Sequence, residues 1–225
     1  PYDPTLHKPP KLSPEDLKAM EKPFFGIPEQ FKPQECLSSC EEDFCLLCTK
    51  PVKQLEAGWC WNATSQIVLD YHGVPDEQCR IADRVYPSQS PCCMSDGRPH
   101  TGNDCGLTSG GFPQYVFATY GFDYSPPNNP TTDAPRLQLL YWNSARNQIL
   151  AARPYIAWMG SAAGTDHTLV VHGFTTESGG VRKLKVIDPQ SNPPEDWWQP
   201  WHSQLHLGNA NNTHRGDIAD IEPKP

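Results

Sequence analysis

Nine cysteines in a chain of 225 residues limit the folds available more sharply than any other feature of the sequence. They fall into two groups around a solitary member. Cys36, Cys40, Cys45 and Cys48 crowd together near the start, Cys79, Cys92, Cys93 and Cys105 form a later group, and Cys60 stands between them. An odd count implies a disulfide framework with one thiol left over, and hence an oxidising compartment, secreted or periplasmic. The competing reading is a zinc knuckle, because Cys36-x3-Cys40-x4-Cys45-x2-Cys48 has short, zinc-like gaps. A second cluster of the usual spacing is missing, so disulfides are favoured. Local spacing puts the pairs within Cys36 to Cys48 and, separately, within Cys79 to Cys105. The neighbours Cys92 and Cys93 are expected to bond to two different partners.

Composition narrows the class. A formal net charge of -8 argues against nucleic acid or an anionic membrane as partner, since both reward basic patches. No run of eighteen apolar residues exists, so no membrane span is expected. The length suits one domain of ordinary size, or one domain built in two lobes. Proline, at 25 residues, points to long irregular connections. The start, "PYDPTLHKPPKLSPED", reads as processed or trimmed, without a signal peptide.

Residues 1–53 read as a proline- and cysteine-rich arm or pro-segment. They carry one short helix at "LSPEDLKAM", where Ser13 caps, Pro14 suits the first turn and Asp16 completes a capping box. From Trp59 the apolar period turns helical: Ala63, Ile67, Val68 and Tyr71 recur at three- and four-residue steps, and Gly73 stops the run. Cys60 then sits at a helix N-terminus. Further helices are expected at "DEQCRIADRVY" and "FPQYVFATYGF", with a loop region over 87–111 between them. "SPPNNPTTDAP", 125–135, is the candidate hinge. Beyond it the period shortens. "PYIAWMG", "HTLVVHGFTT" and "VRKLKVIDP" read as strands, the last two joined by a turn at "ESGG". "NPPEDWWQPWHSQLHLG" reads as an aromatic loop. The class is α+β, a helical lobe over about 54–124 followed by an antiparallel β lobe over about 136–225.

Four residues could carry chemistry. A thiol becomes a good nucleophile when a helix N-terminus and an imidazole lower its pKa, and Cys60 has the first. His167 has the best case among the eight histidines, because it opens a strand directly after a glycine-containing loop. His172 lies at an odd offset from it and faces the other side of the same strand. Asp188 ends the next strand, so antiparallel pairing would bring it beside His167, where a carboxylate can fix the tautomer of a histidine base. Gln54 stands six residues before Cys60, placed to donate to an oxyanion alongside the Cys60 N–H.

The segment "QLEAGWCW" opening a helix, then "DHTLVVHGF", then "VIDP", resembles the papain-like cysteine peptidases. "CWNATSQIVLDYHGV" and "QCRIADRVYPSQSPCC" are similar to the compact bacterial secreted and effector branch, which includes staphopain-like and plant-pathogen effector proteases. The resemblance covers about 54–190. It implies a two-lobe fold, a protein or peptide substrate and no cofactor. It assigns Cys60 as nucleophile, His167 as base, Asp188 as orienting residue and Gln54 as oxyanion donor. The departures are specific. Ala57 stands where plant papains carry a disulfide cysteine, the Cys-to-His spacing is shorter, and aspartate replaces asparagine. Trp59 beside the nucleophile is placed to narrow the cleft. A related Cys-His-Asp acyl-transfer enzyme (a transglutaminase or deamidase) and a non-catalytic binding module on the same scaffold remain as alternatives. Residues 1–53 have two open roles: a zymogen's intramolecular inhibitor, or a strap bracing the lobes. The sequons at Asn62 and Asn211 are taken as a sign of a bacterial source, where they stay unmodified.

Overall fold

The computed structural model describes residues 39–88, 91–94, 111–125, 138–161, 166–201 and 212–224. The helix expected at Ser13, most of the 125–135 hinge, Cys36, Cys105 and Asn211 lie outside the described residues. Among the described residues, eight strands and four helices follow in chain order. A hairpin comes first, β1 (Ser39–Glu41) and β2 (Phe44–Leu46). Then come α1 (Cys60–Tyr71), α2 (Gln78–Val85), α3 (Pro113–Thr119), β3 (Phe122–Ser125) and α4 (Trp142–Leu150). The remaining strands are β4 (Tyr155–Ser161), β5 (Asp166–Thr176), β6 (Arg182–Asp188), β7 (Glu195–Pro200) and β8 (Asn212–Pro223). The chain is thus α+β, with a curled antiparallel sheet.

The sheet is organised by β5. Its first half pairs with β4 and its second half with β2 along one edge, while β6 runs along the other. β8 and then β3 extend the sheet beyond β4, and β7 extends it beyond β6. The central strands are buried on both faces, which explains why "YIAWM" and "TLVV" read as nearly continuous apolar runs. Alternate residues serve different cores. Ile156, Trp158, Val170 and Ile187 face one cluster with α1, α2 and α3, whereas Tyr155, Ala157, Met159, Leu169 and Val171 face a second with α4.

The helices expected around Cys60, Cys79 and Tyr115 are present. α1 ends where Gly73 adopts φ 76°, and the Val74 N–H reaches back to the Leu69 carbonyl at 2.9 Å, a C-terminal motif that favours glycine. The "ESGG" turn likewise places Gly179 and Gly180 at φ 87° and 78°. One expectation needs correction: "EDWWQP" is strand β7, not loop. Its edge position tolerates the flanking prolines, and its two tryptophans alternate. Trp197 packs on the α4-side core, while the Trp198 ring meets Phe44 at 5.9 Å. The sequence reading also passed over α4, which buries Trp142, Ala145 and Ile149, and the strands β3 and β8.

The N-terminal cysteines belong to the sheet. Cys40 and Cys45 sit opposite each other across the β1–β2 hairpin and are bonded together. Cys79 on α2 is bonded to Cys93, and Cys48 and Cys92 are also in disulfides. Cys92 and Cys93 therefore bond separately, and the Asp83 carboxylate accepts both of their backbone N–H groups, at 2.5 and 3.3 Å. Among the described residues, Cys60 is the free cysteine. The segment after the hairpin is fastened at Leu47, whose N–H donates to the His172 carbonyl at 2.8 Å while the His172 ring bonds the Leu47 carbonyl. Maleimide labelling of the denatured, unreduced protein should mark Cys60 and none of Cys40, Cys45, Cys48, Cys79, Cys92 or Cys93. Replacing Cys79 and Cys93 together by serine should lower the unfolding free energy by about 3 kcal/mol, read from a urea titration.

Candidate active site

Cys60 is the first residue of α1, and the two tryptophans beside it explain how it is held there. Trp59 and Trp61 are each 1% exposed and belong to the core between the helices and the sheet. The Trp61 indole meets the Tyr86 ring edge-on at 5.8 Å, and Gly111 lies so close that a Cβ there would come within 2.7 Å of the indole. The Trp59 carbonyl accepts the N–H groups of Asn62 and Ala63, so the ring and the first helical turn are fixed together. Trp59 is an anchor and does not narrow an open cleft. Cys60 itself stays half-buried at the helix start, where the first N–H groups have no intrahelical acceptor and favour negative charge.

The ladder between β5 and β6 supplies the other two groups. His167 is the second residue of β5 and Asp188 the last of β6, and antiparallel pairing, with Val170 opposite Ile187, brings these two strand ends together. The His167 Nε2 lies 2.7 Å from Asp188 Oδ1, leaving Nδ1 for Cys60, with which the ring is also hydrogen-bonded. Asp188 Oδ1 accepts the Gln190 N–H as well, at 2.7 Å, which fixes the carboxylate. His172, on the same strand, is buried and engaged with Leu47, a structural role.

These contacts decide the charge state. Burial pushes the Cys60 thiol up. The His167 hydrogen bond and charge, with hydrogen bonds from the side chain and backbone of Thr168, outweigh it and leave the thiol below its ordinary value. For His167, burial lowers the pKa, but hydrogen bonds to Asp188 and Cys60 and their charges raise it to about 10. The thiol titrates below its ordinary value and the imidazolium persists to about 10, so between the two the pair is thiolate and imidazolium.

Gln54 is fixed through its backbone. Its N–H donates to the Pro189 carbonyl at 2.9 Å, fastening it to the residue after Asp188. Gln78, buried at the start of α2, clamps both neighbours: its Oε1 accepts the Leu55 N–H at 3.0 Å, and its Nε2 donates to the Lys53 carbonyl at 2.8 Å. Asn62 Nδ2 in turn donates to the Gln78 carbonyl at 2.7 Å. A glycan on the fully buried Asn62 is incompatible with this packing. The Gln54 Nε2 donates to the Glu56 carbonyl at 3.2 Å and keeps a second N–H, while its Oε1 is buried without a hydrogen-bond partner.

Sequence reasoning missed Gln78 and Thr168. Thr168 follows the histidine on an apolar strand and reads as one more β-branched residue. Gln78 reads as an ordinary polar residue in an amphipathic helix. Among the described residues, no group of three or more His, Cys, Asp or Glu side chains is placed to hold a metal ion. No protein-family model matches the chain, and no curated protein matches its sequence.

The charge state has a direct consequence in solution. Cys60 should react with iodoacetamide at pH values below the ~8.5 where a free cysteine ionises. His167→Ala should move that onset upward, because burial then acts without the imidazolium. An ordinary thiol profile in the unsubstituted protein would exclude the ion pair.

Proposed function

We propose that the chain is a secreted cysteine endopeptidase of papain-like, two-lobe type. The observation that carries this reading is a half-buried, free cysteine at a helix N-terminus, hydrogen-bonded to a histidine whose Nε2 lies 2.7 Å from an aspartate. The disulfides fit an oxidising compartment. In the proposed cycle the Cys60 thiolate attacks the scissile carbonyl and forms a C–S bond. The oxyanion is held by the Cys60 N–H and the second N–H of the Gln54 carboxamide. His167 gives its proton to the leaving amine as the C–N bond breaks, leaving an acyl-enzyme. Water, losing a proton to His167, then hydrolyses the thioester and restores the thiolate and imidazolium. Asp188 holds the ring and supports its charge throughout.

The same three groups serve acyl transfer to an amine, and aspartate in place of asparagine leaves that second reading standing. Casein offered together with a labelled primary amine separates the two: fragments support a peptidase, and amine incorporation without cleavage supports a transglutaminase. Cys60→Ala and His167→Ala should each lose roughly three or more orders of magnitude in turnover, and Asp188→Asn less. Full proteolysis by Cys60→Ala would refute the assignment. Gln54→Ala should lower kcat by about 10²-fold or more, as expected for one oxyanion donor. Gln78→Ala should follow it in the same direction with a smaller loss, because it only loosens the Lys53–Leu55 backbone.

A further inference from the structure

Thr64 and Thr168 form a buried pair of hydroxyls directly behind the nucleophile. Thr168 lies one residue past His167, on the sheet face shared with Trp158 and Val170 against which α1 packs. Thr64 lies one turn along α1 from Cys60. Both are essentially inaccessible, Thr64 at 0% and Thr168 at 1% exposure. Their oxygens are 3.1 Å apart. Neither takes part in the roles assigned to Cys60, His167, Asp188 and Gln54.

The direction of the protons follows from the relative lengths of the contacts. The Thr64 oxygen lies 2.8 Å from the Cys60 carbonyl, 3.2 Å from the Trp61 carbonyl and 3.1 Å from the Thr168 oxygen. Either hydroxyl could donate across the pair; the shorter contact, 2.8 Å against 3.1 Å, assigns the Thr64 proton to the Cys60 carbonyl of its own helix. The Thr64 lone pairs remain open to Thr168. The Thr168 proton then has two acceptors, the Thr64 oxygen and the Cys60 sulfur, with which its side chain is hydrogen-bonded. A bond to an anion is the stronger of the two.

We propose that the Thr168 hydroxyl is a donor to the Cys60 thiolate, and that Thr64 is the positioning residue that gives its proton an alternative acceptor when the sulfur is uncharged. The inference rests on the reading of Cys60 as a thiolate nucleophile. With sulfur anionic, the proton points at it. With sulfur acylated, the proton turns to Thr64, and neither hydroxyl is orphaned in either state. The device tracks the charge on the reacting atom by rotation of one C–O bond. It also has a kinetic cost, because a donor that stabilises a thiolate makes it a weaker nucleophile.

The cost supplies the test, which is the pH dependence of Cys60 alkylation by iodoacetamide in the full chain. Thr168→Val removes the donor while keeping the shape. Losing one charge-assisted hydrogen bond lowers the thiol's acidity about tenfold and speeds its thiolate about threefold. The plateau should be about threefold faster and the acid limb about threefold slower. The two profiles should therefore cross. Thr168→Ser keeps the hydroxyl and should follow the unsubstituted protein. Thr64→Val removes the competing acceptor and should make the acid limb faster, the opposite sign. That second variant decides the matter if Thr168→Val does not fold. A Thr168→Val profile that coincides with the parent, or is slower at every pH, overturns the proposal. So does a Thr64→Val profile unchanged or slowed on its acid limb. If the parent protein itself shows an ordinary thiol profile, the thiolate reading falls, and this inference with it. A reactive parent with unaffected variants removes only the role given to Thr168.

Discussion

The site depends on one antiparallel ladder. β5 and β6 pair so that the start of one strand lies beside the end of the other, which puts an imidazole and a carboxylate 2.7 Å apart. The same strand carries β4 and β2 along its other edge and presents Thr168 and Val170 to the helical layer. Cys60 reaches this ladder only because α1 packs on that face, and α1 is seated by tryptophans on either side of its first residue. A one-residue slip in the ladder would send each of these side chains to the opposite face. Register is therefore the constraint from which the rest of the site follows, and the burial of both sheet faces is what specifies it.

Electrostatics at the site is a contest that burial loses. Desolvation alone would hold the thiol neutral and the imidazole uncharged. Each group is instead charged by the other, with Asp188 behind the ring and Thr168 beside the sulfur. Removing water makes these interactions stronger as well as costlier, because the local dielectric falls. The buried charges are tolerated because each has a partner of opposite sign and a hydrogen bond to hold it in place. The ion pair and the surrounding hydroxyls and carboxylate are thus one unit.

The framework around this unit is stapled at separate points. The Cys40–Cys45 bridge closes the hairpin that adds β2 to the sheet, and the Thr176 N–H and the Arg146 guanidinium hold the hairpin turn through the Asp43 and Glu42 carbonyls. The Cys79–Cys93 bridge anchors α2, whose first residue, Gln78, clamps the backbone around Gln54. A stretch rich in proline and cysteine cannot build a core of its own. Residues 39–47 instead borrow one, with Cys45 and Leu47 buried in the cluster shared with α4.

Much of the site was legible in the sequence because its signals are local. The period that starts at Trp59, the glycine that stops it and the solitary cysteine between two clusters are properties of short stretches. So are the histidine at the start of one strand, the aspartate at the end of the next and the glycine turn between them. Local signals fail where burial or an edge decides. "EDWWQP" has no intrinsic reason to be a strand until β6 offers it a partner, and the charged run of β8 becomes one only by pairing with β4 and β3. Trp59 could not be told from a cleft-lining residue until its burial was seen. Gln78 acts across more than twenty residues of chain, and Thr168 acts on Thr64 across more than a hundred. The sequence by itself determined which residues were capable of the chemistry. Tertiary structure alone decided their charge and which neighbours support them, because both depend on what is packed within a hydrogen bond's reach and on how much water is excluded.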